Sequence, residues 1–291
     1  MISAGARRLL HLPGILILGW WLADLSHHWS ALPEFQHGWL VVPLAGFLVW
    51  ERWAALPSPT VAAHPWRPVW LAAVSMPLVV VAELYQYAVA RSVASSFALS
   101  IGCAGFLLSL LWLLNGGAVA RLLVFPVLFL FVAVPIPKLI WNPVVFGLQG
   151  LIAVLNVETL NLLGIPAARS GNLIVLPGGV VGVDEACSGI RSLQSAIMAA
   201  LFIADLTLRR TGVKLFFLAA GVGLAVAGNF GRSLYLSLTA ARHGVDAVGG
   251  VHDAAGWGVL VFTAAGLVLL AWRVSRTERI ALQGSLGEGK P

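Results

Sequence analysis

The sequence predicts an all-α, polytopic membrane helical bundle of about eight transmembrane helices, with one amphipathic interfacial helix and a short external β-hairpin. Three observations carry this expectation. The 291-residue chain is 59% hydrophobic and only 10% charged, against about 25% charged in a soluble domain. Its mean hydropathy is +0.91. Several apolar runs approach the roughly 20 residues that a helix rising about 1.5 Å per residue needs to cross a bilayer core of about 30 Å. Strands of a membrane barrel would instead alternate over short segments. The whole chain, residues 1–291, is expected as one membrane domain with a short cytoplasmic tail at about residues 273–291.

Taken in order, the expected spans are 9–25, 39–50, 69–90, 93–114, 119–134, 188–206, 213–241 and 254–272. No cleavage site follows the first, which is expected to stay as a span. Segment 138–163 is apolar enough to cross, yet crossing there inverts every later loop. Its Asn142, Gln149 and Asn156 recur every seven positions and share one helical face. It is therefore expected as an amphipathic helix at the outer interface or packed inside the bundle. Segment 165–183 holds two β-rich runs separated by Pro177-Gly178-Gly179 and is expected as the hairpin.

A net charge of +6 suggests nucleic acid at first sight, but the basic residues lie in short loops beside apolar runs, where they act as topology signals. Arg7-Arg8, Arg209-Arg210 with Lys214, and Arg273 with Arg276 agree on cytoplasmic termini and a cytoplasmic 208–214 loop. No nucleic-acid partner is expected; the lipid bilayer is. Two cysteines cannot build a disulfide framework. With no CxxC, HExxH or Walker-type glycine loop, neither metal nor cofactor is expected.

On this topology three polar side chains from separate spans meet at the outer boundary. Cys187 opens a span at a helix N-terminus, where the backbone dipole favours a thiolate. Ser188 and Gly189 leave it uncovered, while the charges of Asp184 and Glu185 oppose the thiolate. Arg232 lies roughly 28 Å up its span, and Asn229, three residues earlier on the same face, is positioned to hold its guanidinium. An arginine inside a span costs about 2.5–3.5 kcal/mol at the centre. His252, beside Asp253, follows two glycines and opens the last span. Each residue has a plainer role available: a small hydrophobe for Cys187, as assigned to Cys103; a snorkelling anchor for Arg232; a solvated surface imidazole for His252, like His27, His28, His37 or His243. Together they make a protease or transpeptidase site, with Cys187 as nucleophile, His252 as general acid and base, and Arg232 holding the oxyanion or orienting the substrate carbonyl. Glu83, near the end of its span, is expected to pair with a neighbouring helix.

These motifs resemble the exosortase and archaeosortase family: Glu185-Ala186-Cys187-Ser188-Gly189, then Asn229-Phe230-Gly231-Arg232-Ser233, then His252 followed by Gly256-Trp257. His37-Gly38-Trp39-Leu40-Val41-Val42-Pro43, Phe125-Pro126 and Val134-Pro135-Ile136-Pro137 look like the same family's earlier signatures. The resemblance implies a cysteine protease and transpeptidase of the bacterial cytoplasmic membrane, with its site on the extracytoplasmic side. Its partners would be exported proteins carrying a C-terminal Pro-Glu-Pro-type motif, a transmembrane helix and a basic tail, cleaved through a Cys187 thioester. Glu185, Ser188, Asn229 and Asp253 are the supporting residues it suggests. Two alternatives remain open: a non-catalytic membrane component of polysaccharide export and a thioester-forming acyltransferase. A transporter is disfavoured, because its polar groups would sit at the midplane of paired repeats.

Overall fold

The structure, a computed structural model, describes residues 11–60, 62, 64–182 and 190–287. Cys187, Asp184, Glu185, Ser188 and Gly189 lie outside the described residues. The helices are α1 (Leu12–Ala31), α2 (Gly38–Arg52), α3 (Trp66–Ala88), α4 (Val93–Asn115), α5 (Gly117–Phe129), α6 (Lys138–Leu162), α7 (Ile190–Thr207), α8 (Thr211–His243) and α9 (Val248–Gly287). Strands β1 (Ala168–Ser170), β2 (Leu173–Leu176) and β3 (Gly179–Gly182) lie between α6 and α7. The chain divides into two compact units, Met1–Lys138 and Leu139–Pro291.

Six helices are long and apolar enough to cross a membrane: α3, α4, α6, α7, α8 and the apolar length of α9. The expected eight are not reproduced. At 15 residues α2 reaches only about 22 Å. The 13 residues of α5 end in a 3₁₀ turn at Leu130–Ala133. In α1 the apolar run is broken by Asp24, Ser26, His27 and His28.

In the first unit α3 and α4 pack at close range. A Cβ at Gly102 would meet Val79 Cγ2 at 2.6 Å, and one at Gly105 would overlap the Ser75 hydroxyl. A capping box starts α4: Ser92 Oγ accepts from Ser95 N at 3.2 Å, and Ser95 Oγ accepts from Ser92 N at 3.0 Å. Its serines then serve α1. Trp21 Nε1 donates to Ser100 Oγ at 2.8 Å, and His28 Nε2 lies 2.9 Å from Ser96 Oγ. Asp24 is 3% exposed, with Arg91 Nε 2.9 Å from its Oδ1. That N–H is shared with Gln86 Oε1 at 3.4 Å, and neither carboxylate oxygen of Asp24 has an aligned hydrogen bond, so the pair is Coulombic. Asp24, not Glu83, is therefore the paired carboxylate of this unit; Glu83 has no ion pair or hydrogen bond among the described residues.

The His37-Gly38 signature has a packing role. His37 Nε2 donates to Val132 O at 2.9 Å, and Trp29 Nε1 donates to the next carbonyl, Ala133 O, at 2.7 Å. Both indole and imidazole thus hold the 3₁₀ turn that precedes Pro135-Ile136-Pro137. The Trp29 ring meets Trp39 edge-on at 5.2 Å and lies so close to Gly38 that any Cβ there would overlap it.

In the second unit α6 differs from its interfacial expectation. Its polar face turns into the protein: Gln149 and Asn156 are 3% and 0% exposed. Gln149 Oε1 accepts from Asn172 Nδ2 at 2.7 Å, and Asn156 Nδ2 donates to Ser233 Oγ of α8 at 2.8 Å. The opposite face exposes Leu139, Ile140, Val144, Phe146 and Leu151. Polar in and apolar out is the arrangement of a helix solvated by lipid. The hairpin becomes a three-stranded antiparallel meander, with β2 central and Leu173 opposite Gly182. The extra turn is Gly171-Asn172, with Gly171 at φ +63°. Ile174, Leu176 and Val181 of the sheet bury against Ile152 and Leu160 of α6 and Ala240 of α8.

Small residues bring α7, α8 and α9 together. Ala200 and Ala204 of α7 share a core with Phe217 of α8 and Leu267 of α9, and a Cβ at Gly221 would press both Ala200 and Leu267 at 3.1 and 3.0 Å. At the other end, the buried Glu278 of α9 accepts from the backbone N–H groups of Arg210 and Arg209 at 2.7 and 3.0 Å. A carboxylate there satisfies donors at the entry to α8 and complements its dipole.

Replacing Gly38 by Ala is expected to lower stability by at least about 1–3 kcal/mol through overpacking against Trp29. The same change at Gly46, where a Cβ meets open space, is expected to be neutral or slightly stabilising. Thermal unfolding of the detergent-purified variants checks this; equal midpoints for the two would refute the packing role.

Candidate active site

Helices α8 and α9 run side by side, and their close approach is built on glycine. A Cβ at Gly228 would sit 3.1 Å from both Val259 and Phe262. One turn further along α8, Arg232 reaches across to α9. Its Nη2 lies 2.9 Å from His252 Nε2, and Gly256, one turn on from His252, leaves room for the guanidinium at 3.8 Å from where its Cβ would be. His252 Nδ1 lies 3.1 Å from Asp253 Oδ1. Two residues 20 positions apart are thus joined by a direct bond between neighbouring helices.

The hydrogen-bond chemistry fixes the imidazole's form. A guanidinium only donates, so Nε2 must accept, and the ring proton sits on Nδ1, donated to Asp253. His252 is held neutral, with its basic nitrogen turned toward Arg232. The Asp253 carboxylate is 97% exposed, so it orients the ring while adding little energy.

The first two turns of α7 complete the surroundings. Arg191, Ser192 and Ser195 line one cavity of about 350 Å³ with Arg232, His252, Asp253 and Trp257. The sequence reading gave Arg191 only a charge-compensating role and passed over both serines. Their signal was present in the spacing: Arg191 and Ser195 are four apart on one helical face, directly after Ser188-Gly189.

Asn229 behaves differently from expectation. It is 1% exposed, and neither its amide nitrogen nor its oxygen has a hydrogen-bond partner, so it does not hold the Arg232 guanidinium. Ala225, one turn earlier on the same face, packs against Leu193 and Ala196 of α7. Asn229 therefore lies one turn further toward the beginning of α7. Cys103 is fully buried within α4, in keeping with its reading as a small hydrophobe. Among the described residues, no group of three His, Cys, Asp or Glu side chains is arranged to hold a metal ion.

Comparison with curated proteins and with solved structures returned no match. The transmembrane exosortase family model (Exosortase_EpsH) matches residues 29–270. That range takes in the His37-Gly38 anchor, the prolines after α5, and the bonded Arg232 and His252; the chain belongs to the transmembrane exosortase family.

Proposed function

We propose that this protein is a membrane-embedded cysteine protease and transpeptidase that cleaves the C-terminal sorting signal of exported proteins. The observation that carries the reading is the 2.9 Å contact between Arg232 and His252 at the end of the cavity lined by the first turns of α7. Cys187 precedes Ile190, the first residue of α7, by three positions, and three residues span at most about 11 Å. Covalent connectivity alone thus keeps the thiol near that cavity.

In the proposed cycle His252 Nε2 takes the Cys187 thiol proton. The imidazolium can no longer accept, so the bond to Arg232 breaks and the guanidinium is released toward the substrate carbonyl. The thiolate attacks the carbonyl carbon, and Arg232 stabilises the oxyanion. Collapse expels the amine of the tail, which takes its proton from Nε2, leaving a thioester on Cys187 and a neutral His252 that bonds Arg232 again. Water or an amine then gives a proton to His252, attacks the thioester and restores the thiol. The buried, unpartnered amide of Asn229 supplies a further donor and acceptor for the bound peptide.

The topology supports an extracytoplasmic site. With the N-terminus inside, crossings by α3, α4, α6, α7, α8 and α9 bring the 208–214 loop and Arg273 to the cytoplasm, and the start of α7 to the outside. Losing three expected short spans while gaining α6 preserves the parity that the basic clusters require. Bacterial cytoplasmic membrane placement goes with this reading.

Cys187→Ala is expected to abolish processing of a co-expressed protein bearing a motif, helix and basic tail, while Cys103→Ala retains it. Undiminished processing by the Cys187 variant would overturn the assignment. A membrane-impermeant maleimide added to intact spheroplasts is expected to label Cys187. Labelling only after permeabilisation would invert the orientation.

A further inference from the structure

The cavity carries a cation that the proposed reaction does not use. Arg191 sits in the first turn of α7 with its side chain exposed, lining the space beside Arg232 and Asp253. Among the described residues it makes no hydrogen bond or ion pair. The other charges of the cavity are engaged: Arg232 bonds His252, and Asp253 Oδ1 accepts from the His252 ring. With His252 neutral, the lining holds two guanidiniums against one carboxylate, beside an apolar wall that includes Trp257. Such a lining favours an incoming anion.

We propose that Arg191 is a specificity-determining residue that binds an acidic side chain of the peptide substrate. The proposal rests on the protease reading above and names the substrate chemistry of that same site. The guanidinium's planar fork matches a carboxylate in two parallel hydrogen bonds, and the Ser195 hydroxyl, one turn along the same face, is a further donor. Distance along the chain sets where the acid must lie. Arg191 follows Cys187 by four residues, a reach of at most about 14 Å. An extended peptide advances about 3.3 Å per residue, so the acid falls within about four residues of the scissile bond.

The test is a charge swap in membranes co-expressing enzyme and a tripartite substrate. Wild type, Arg191→Gln and Arg191→Glu are each paired with substrates whose acidic residue near the cleavage site is retained, changed to Gln, or changed to Lys. Comparing substrates within one enzyme variant removes any difference in folded amount. Arg191→Gln is expected to reduce the preference for the acidic over the Gln substrate from about 10- to 100-fold to near unity, and Arg191→Glu is expected to prefer the Lys substrate. An unchanged acidic preference in Arg191→Gln would overturn the assignment, as would Lys-substrate processing by Arg191→Glu no better than by wild type. Loss of preference when acidic phospholipid is depleted, with the enzyme unmutated, would assign Arg191 to a lipid phosphate and equally overturn it. Cys187→Ala with the acidic substrate runs alongside. Processing there would defeat the protease reading itself, whereas its abolition without a charge swap would defeat only the role of Arg191.

Discussion

A side chain surrounded by lipid has no water to bond, so each polar group of this chain must find its partner inside the protein. That constraint organises both units. In the first, the serines of α4 are placed to receive Trp21 and His28 from α1. In the second, Gln149 and Asn156 turn α6 inward toward Asn172 and Ser233. The helix is apolar where a soluble helix would be polar, and its hydrophobic surface faces outward because hydrocarbon, not water, is its solvent.

The same constraint gives the Arg232–His252 pair its chemical character. A guanidinium is costly at membrane depth and seeks an acceptor; the imidazole is the one it finds across the α8–α9 seam. Glycines at 228 and 256 allow that approach, since a Cβ at the first would press Val259 and Phe262. In the proposed cycle the bond acts as a toggle: formed while His252 is neutral, broken when it holds the thiol proton. Stabilisation of the oxyanion then becomes available at the step that creates it. Asn229 remains a buried amide without a partner, an arrangement that costs free energy in the resting protein and is consistent with a group waiting for substrate.

Much of this was legible in the chain. Hydropathy revealed the membrane bundle, and position relative to span ends brought Arg232 and His252 together before any coordinates. What escaped the sequence depended on tertiary pairing. The seven-residue polar repeat of α6 was visible, but its direction was not: an amphipathic stripe reads the same whether it faces headgroups or Ser233. The lengths of α2 and α5 were overread because apolar runs do not show where a helix gives way to a 3₁₀ turn. Asp24 was passed over because its partner Arg91 is 67 residues away, and β1 because three exposed residues carry no alternation. Gly38 was recognised as a motif without its reason, which is the Trp29 ring lying against it.

The central claim is that Cys187 carries the substrate covalently while Arg232 and His252 serve it. Membranes containing the enzyme and a tagged substrate, quenched in acid and separated under denaturing conditions, test this most directly. The account predicts an enzyme–substrate adduct that hydroxylamine releases and that peptide mass mapping places on Cys187. Processing without any such adduct, or an adduct that persists in Cys187→Ala, would contradict it.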